Sequence, residues 1–181
     1  RDFCLSRGLG DVYKRQEDNF VEKTFLATDK RRTELIHKDI YDQTGKLVTP
    51  SPVRGYFSAK YVDPDFIGER TSARPFLIRY SDIALVFAEA AGPDEGLALV
   101  NEIRRRAGIP DLPEGMSLSE FRKAVIQERT LELAFEGNRL YDLRRTASVT
   151  TTVPEATKLS EEQAAFYPIP QRELDLNPNV K

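Results

Sequence analysis

Two glutamates, Glu128 and Glu132, lie four positions apart in segment 127–145, which otherwise has the pattern of an amphipathic helix. Residues four apart on a helix share one face, with their Cβ atoms about 5–6 Å apart. Two such carboxylates could cleave a glycosidic bond, one as the acid and the other as nucleophile or base. The carboxylates of such enzymes flank the bond from two sides of a cleft. A glycoside hydrolase using this pair is therefore the least favoured of three hypotheses.

Apolar residues continue the same helix face on both sides of the glutamate pair. Phe121 and Val125 precede it and Phe135 follows it, at spacings of three and four residues. In the second hypothesis the helix is rotated so that Leu131 and Phe135 are buried. The two carboxylates would then lie on a face exposed to solvent.

The third hypothesis, which we favour, places the carboxylates in a buried ion network. Arginines follow the pair closely, and a guanidinium group matches a carboxylate with two parallel hydrogen bonds. If a short fourth helix folds back after Gly137, its arginines come within reach of the glutamates. Such a network would fix the packing of helix four on helix three. Its predicted members are Glu128, Arg129, Glu132, Arg139 and Arg144, with Arg145 nearby.

The remaining residues offer little other chemistry. The single cysteine, Cys4, excludes an intrachain disulfide and a thiolate metal cluster, and the single histidine, His37, excludes a histidine-rich zinc site. A nucleophile with a partnered base and a glycine-rich phosphate loop are also missing from the sequence. We therefore predict a protein that binds and does not catalyse, with no metal and no cofactor.

The charge balance excludes further classes. The chain of 181 residues has 27 basic and 29 acidic residues and a net charge of -2, so nothing favours nucleic acid as a partner. The basic runs 30–32 and 104–106 are interpreted as solvated faces. An apolar stretch of about 18 residues, as needed for a membrane-spanning helix, is missing.

Three regions are predicted along the chain. Residues 1–16 lack any period and are interpreted as a non-native or disordered leader. Residues 17–74 are irregular and favour β structure, with a hairpin turning at 42–45. Aromatic residues gather near the end of this region, and they either pack in the core, which is favoured, or stack on a sugar ring. The candidate ligand residues are Tyr56, Phe57 and Tyr61.

Residues 75–181 are predicted to be mainly helical. Periodic apolar residues indicate helices over 79–91, 94–107, 117–137 and 139–145. Tyr80, Ile83 and Phe87 are assigned to the buried stripe of the first of these, together with three alanines. Ser117 and Glu120 form a predicted capping box for the third. The proline-rich tail is expected to be extended and to lie across the helices.

Four segments together resemble the C-terminal part of the SusD/RagB family of nutrient-binding lipoproteins from Bacteroidota-type bacteria. They are RYSDIALVFAEA (79–90), ALVNEIRRRAGIPDL (98–112), ERTLELAFEGNRLYDLRR (128–145) and YPIPQRELDLNPNV (167–180). The resemblance implies a mainly α fold with tetratricopeptide-like helical hairpins and an irregular lobe that contains β structure.

The resemblance also implies a function. The protein would bind an oligosaccharide or another nutrient without chemistry, at the surface-facing side of the outer membrane. Its partner would be a TonB-dependent transporter. Family members carry a lipid on an N-terminal cysteine, a role we do not give to Cys4 because no apolar segment precedes it. The alternative from another class is a helical-hairpin adaptor that binds peptides, which would need three or more stacked repeats.

Overall fold

The computed structural model describes residues 18–41, 44–49, 56–61, 63, 72–153, 156, 158–165, 169–177 and 179. The predicted leader at 1–16 lies outside these residues. The described chain divides after Glu136 into two compact units, which are treated separately below. This division differs from the predicted regions, since the segment before residue 74 belongs to the same unit as the long helices that follow it.

The first unit is built mainly from helices. A two-stranded antiparallel sheet pairs Ile36 with Ser58 and His37 with Phe57. An isolated bridge between Tyr41 and Leu47 lies where the hairpin was predicted. The elements in chain order are α1 (Asp18–Thr24), α2 (Lys30–Leu35), β1 (Ile36–His37), β2 (Phe57–Ser58), α3 (Tyr80–Ala91), α4 (Pro93–Arg106) and α5 (Leu118–Glu132).

Helices α3 and α4 form a tight hairpin around one glycine. Gly92 ends α3 with a φ of 87°, a conformation that suits glycine, and Pro93 opens α4 at a position that needs no N–H donor. Within the hairpin, Gly96 approaches α3 so closely that an added Cβ would lie 2.7 Å from the Cα of Ala88. The two backbones can come this close only because both residues are small.

This close approach explains why the predicted buried face of α3 is wrong. Tyr80, Ile83 and Phe87 are 66%, 54% and 46% exposed. Both faces of α3 are apolar, but only the face with small side chains lets α4 approach. The buried residues of α3 are therefore Ser81, Ala84, Leu85 and Ala88.

We expect Gly96→Ala to destabilise the first unit by about 1–3 kcal/mol, as overpacking of a close contact usually does. The added methyl group would meet backbone atoms of α3, which cannot move aside as a flexible side chain would. Urea unfolding followed by circular dichroism measures the change. Glu102→Ala, at an exposed position of the same helix, is the control and should change stability by less than about 0.5 kcal/mol. If the two variants were equally stable, α3 and α4 would be less tightly packed at Gly96 than the structure shows.

Helix α5 begins as predicted and ends earlier than predicted. The capping box is present, with the side chain of Ser117 accepting from the backbone of Glu120 and the Glu120 carboxylate accepting from the backbone of Ser117. The helix ends at Glu132, and Phe135 has a positive φ of 66°, which a continuous helix does not allow. The segment 133–137 is therefore a turn.

Two apolar clusters lie around α5. The first joins α3, α4 and α5 through Leu85, Val100 and Phe121, all 0% exposed. The second joins α1 to the end of α5 through Val21, Phe25 and Leu131. Helix α5 thus has one end in each cluster; Glu128 lies between Val125 and Leu131, and Glu132 directly follows Leu131.

The second unit contains short helices and its own cluster of Leu143, Val149, Ala156 and Ala164. Its elements are α6 (Arg139–Arg145), α7 (Val149–Thr152), α8 (Glu161–Ala165) and α9 (Gln171–Leu176). Helix α6 confirms the predicted fourth helix.

The predicted extended tail is wrong for residues 171–176, which form α9. Pro168 and Pro170 precede this helix, and a proline before or at the first turn does not interrupt a helix. The six residues of α9 contain no proline and favour a helix. None of the six is buried. The expected position of the tail across the helices stays a prediction.

The architecture as a whole confirms the predicted fold class, which is mainly α with helical hairpins and a small amount of β structure.

Candidate functional site

The Glu128 carboxylate is completely buried and bonded to two arginines. Its side chain is 0% exposed. Its Oε1 accepts from Nη1 of Arg31 at 2.6 Å, and its Oε2 accepts from Nη1 of Arg104 at 2.8 Å. Because each oxygen has an arginine donor, the cost of burying the charge is offset by charge-assisted hydrogen bonds.

Glu132, one turn further along α5, is enclosed by three arginines. Its Oε1 accepts from Nη1 of Arg79 at 2.8 Å and also from Nη2 of Arg106. Its Oε2 accepts from Nη1 of Arg31 at 3.1 Å. Arg31 therefore bridges the two carboxylates, which explains how two like charges can lie close together inside the unit.

The arginines keep Glu132 ionised. Burial alone would raise the pKa of this carboxyl, but hydrogen bonds from Arg79 and Arg106, and their charges, lower it to about 2. A carboxyl with this pKa carries no proton near neutral pH and cannot act there as a general acid. The geometry thus favours a structural role for the pair over glycosidic chemistry.

Arg31 is itself fixed by a third carboxylate. Its Nε and Nη2 donate to the two oxygens of Asp29 at 2.9 and 2.7 Å, and Asp29 also caps α2. Burial lowers the pKa of Arg31, but the hydrogen bond with Asp29 and the charge of Glu128 outweigh it, so the pKa lies above its ordinary value. The interpretation of run 30–32 as a solvated face is wrong for Arg31, which is 6% exposed.

The network continues to Glu136 in the turn after α5. Arg79 donates from Nε and Nη2 to the two oxygens of Glu136 at 2.8 and 2.9 Å. Lys60 donates to Glu136 Oε1 at 2.5 Å and to the carbonyl groups of Glu132 and Ala134 at 2.7 and 2.9 Å. Burial lowers the pKa of Lys60, whereas Glu136 opposes the shift. Together Arg79 and Lys60 bind carbonyl groups at the end of α5 that lack partners in the helix.

The arginines found on the two glutamates differ from those predicted. They are Arg31, Arg79, Arg104 and Arg106, which come from parts of the chain that precede α5. Arg129 instead donates to Asp82 Oδ1 at 2.7 Å. Arg139 and Arg144 belong to the second unit.

In the second unit, burial lowers the pKa of Arg139, and the charge of Asp142 acts in the opposite direction. Asp142 is buried and accepts from Nε of Arg145 at 2.9 Å. The structure thus agrees with the prediction that buried carboxylates pair with arginines, but the particular partners differ from the predicted ones.

The three candidate ligand residues are half-buried. The hydroxyl of Tyr56 donates to Glu22 at 3.1 Å, and its ring packs against the second apolar cluster. Phe57 lies in β2 with its ring centre 5.9 Å from that of His37. The ring of Tyr61 lies 5.6 Å from that of Phe76. Each ring has partners within the unit, yet each keeps some exposed surface.

A pocket of about 290 Å³ opens beside Phe76. Apolar atoms come from Leu35, Ala59 and Phe76, and charged groups come from the ion network described above. Sequence reasoning did not find this pocket. Its only signal in the sequence is that Arg79 and Arg106 belong to segments that carry the family resemblance.

The described residues lack two further features. No described helix is both long and apolar enough to cross a membrane. Within the same residues, no group of three or more histidine, cysteine, aspartate or glutamate side chains is placed to bind a metal ion.

Comparison with known proteins agrees with this architecture. The profile of the SusD family matches residues 39–181. The SusD-like protein P2 of Formosa agariphila is 36% identical over 90 residues, which cover 43% of this chain and 18% of that protein. The SusD-like protein P38 of the same organism is 31% identical over 117 residues, 58% of this chain and 23% of that protein.

Solved structures of SusD-like proteins superpose on this chain. A SusD homolog from Bacteroides thetaiotaomicron superposes with a TM-score of 0.66 at 29% identity, covering 85% of this chain and 40% of the other. A SusD superfamily protein from Bacteroides vulgatus shares the fold, with a TM-score of 0.62 at 23% identity over 91% of this chain and 42% of the other. The chain belongs to the SusD family. It spans less than half of the length of each of these relatives.

Proposed function

We propose that this chain is part of a nutrient-binding protein of the outer membrane, which captures an oligosaccharide or another nutrient and delivers it to a TonB-dependent transporter. The observation that carries the proposal is the match of the SusD family profile to residues 39–181. The lipid anchor, the surface-facing location and the transporter partner are part of the proposal and come from the family.

The arrangement of the two glutamates supports binding without catalysis. In a glycoside hydrolase one carboxyl must donate a proton and both must reach the sugar. Here all four oxygens of Glu128 and Glu132 accept from arginines, and the side chains are 0% and 3% exposed. The two glutamates of α5 bond arginines of α2 and α4, and they thereby connect these three helices.

The proposed ligand surface includes the half-buried rings of Tyr56, Phe57 and Tyr61. An aromatic ring offers a flat apolar face to a sugar, while nearby amides and carboxylates bond its hydroxyl groups. We expect weak affinity for the 181-residue chain, because it spans only 40% of the length of the solved SusD homolog from B. thetaiotaomicron.

Calorimetric titration against a panel of neutral and acidic oligosaccharides tests the proposal. It should be run on this chain and on the longer SusD-like protein that contains it. We expect binding without any cleaved product, and we expect Tyr61→Ala to weaken it several-fold. Tyr141→Ala, in the second unit at a side chain that is 68% exposed, is the matched control and should have no effect.

Two results would contradict the proposal. The first is absence of binding to every member of the panel by the longer protein. The second is turnover that disappears in a Glu128→Gln, Glu132→Gln double variant whose thermal unfolding is unchanged, which would favour the hydrolase.

A further inference from the structure

The pocket beside Phe76 has a surplus of positive charge. The ion network of the described residues connects five cationic side chains, which are Arg31, Lys60, Arg79, Arg104 and Arg106, with four carboxylates, which are Asp29, Glu128, Glu132 and Glu136. When all nine are ionised, one positive charge is left without a matching negative charge. An anion in the pocket would balance it.

The exposure of the cations shows where that anion would bind. The side chains of Arg31, Lys60, Arg79 and Arg104 are 7%, 10%, 20% and 16% exposed, so their charged groups face the network. Arg106 is 60% exposed. It bonds Glu132 through Nη2, and its side chain is the most exposed of the five. Arg106 is therefore the cation that a ligand can reach.

The rest of the pocket suits a compact ring and not a bare ion. Phe76 lines the pocket and is 44% exposed, and its ring centre lies 5.6 Å from that of Tyr61. Leu35 and Ala59 add apolar surface within the pocket. The volume of about 290 Å³ is at the lower limit for small-molecule sites, which fits a single ring.

We propose that this pocket binds a carboxylate carried on a six-membered ring, with the carboxylate on Arg106 and the ring against Phe76. A uronic acid unit of an oligosaccharide and a simple cyclic acid share this chemistry. The inference rests on the proposed function only in taking a sugar acid as the natural source. Binding of the acid group itself depends on the pocket alone.

The test is a titration of the 181-residue chain, labelled with ¹⁵N, in which the arginine Nε resonances are observed. The three probes are galacturonate, galactose and cyclohexanecarboxylate. We expect both acids to shift the Arg106 resonance and galactose to leave it unchanged. A larger effect of galacturonate favours the sugar acid, and a larger effect of cyclohexanecarboxylate favours a simple cyclic acid.

Variants of two neighbouring arginines give a matched comparison. We expect Arg106→Met to weaken binding of both acids about tenfold or more, since a hydrogen bond to a charged group is lost. Arg105→Met, whose side chain is 64% exposed and pairs with Asp111, should bind as the parent does. Arg106→Met also removes a bond to Glu132, so two further variants are needed if it unfolds. Arg106→Lys should retain part of the binding, and Phe76→Ala should weaken it several-fold.

Three outcomes would overturn the inference. One is an equal response to galactose and galacturonate. Another is an equal loss in Arg105→Met and Arg106→Met, which would indicate only a general effect of surface charge. The third is the absence of any shift with all three probes. Binding of neutral oligosaccharides by the longer protein would survive each of these outcomes, so the proposed function is judged separately.

Discussion

Glu128→Ala is expected to lower the free energy of unfolding of the first unit by about 3–5 kcal/mol, which is the usual cost of removing one partner from a buried ion pair. The side chain is 0% exposed and bonds both Arg31 and Arg104. Its removal would leave those two positively charged guanidinium groups without the carboxylate that lies between them. Few surface glutamates would have so large an effect.

Urea unfolding, with amide exchange in α5 as a local probe, measures this loss. Glu102→Ala on the exposed side of α4 serves as the control. A loss below about 1 kcal/mol for Glu128→Ala would mean that the glutamate behaves as a surface ion pair. The solvated-face hypothesis would then be correct.

Acid is expected to destabilise the first unit through Glu132. The pKa of this carboxyl is about 2 in the folded chain and has an ordinary value of 4.5. The unfolded chain therefore binds the proton more tightly than the folded chain does. The stabilising contribution of Glu132, roughly 3 kcal/mol, is complete above pH about 4.5 and is lost as the pH falls towards 2.

The measurement is the free energy of unfolding at a series of pH values between 7 and 2. Glu132→Gln cannot titrate at this position, so its stability should be lower at pH 7 and should depend less on pH over this window. Glu102→Gln, at an exposed position, should follow the parent chain. If parent and Glu132→Gln show the same slope between pH 4.5 and 2, other carboxyls determine the acid response.

Helices α3 and α4 and the beginning of α5 could be predicted from local sequence because their signals are local. Helices α1 and α2 were not predicted, and they lie in the region 17–74 that was expected to favour β structure. Gly92 and Pro93 end one helix and begin the next, and the Ser117 capping box begins α5. The end of α5 could not be predicted in this way. The apolar period continues to Phe135, but arginine and lysine donors to carbonyl groups near Glu132 allow the helix to end earlier.

The buried ion network was predicted only in outline. Two carboxylates within an apolar stripe predict buried partners. Distance along the chain is the only guide that the sequence offers to which arginines these are, and it favours the nearest ones. The actual partners, Arg31 among them, are brought in by tertiary packing, which local patterns do not contain. The pocket beside Phe76 was missed for the same reason, since its walls come from segments more than 70 positions apart along the chain.

The bonds from Arg31 to Glu128 and Glu132 span 97 and 101 positions of the chain. Closing so long a loop costs conformational entropy, which is lost before the stabilising contact has formed. Contacts of this range therefore form late in folding. The α3–α4 hairpin, joined through the single residue Gly92, carries no such cost. We infer that the hairpin and α5 assemble first and that α2 joins them last. Arg31→Lys should accordingly accelerate unfolding and leave the folding rate nearly unchanged in stopped-flow measurements, whereas a slower folding rate would place this contact in the nucleus.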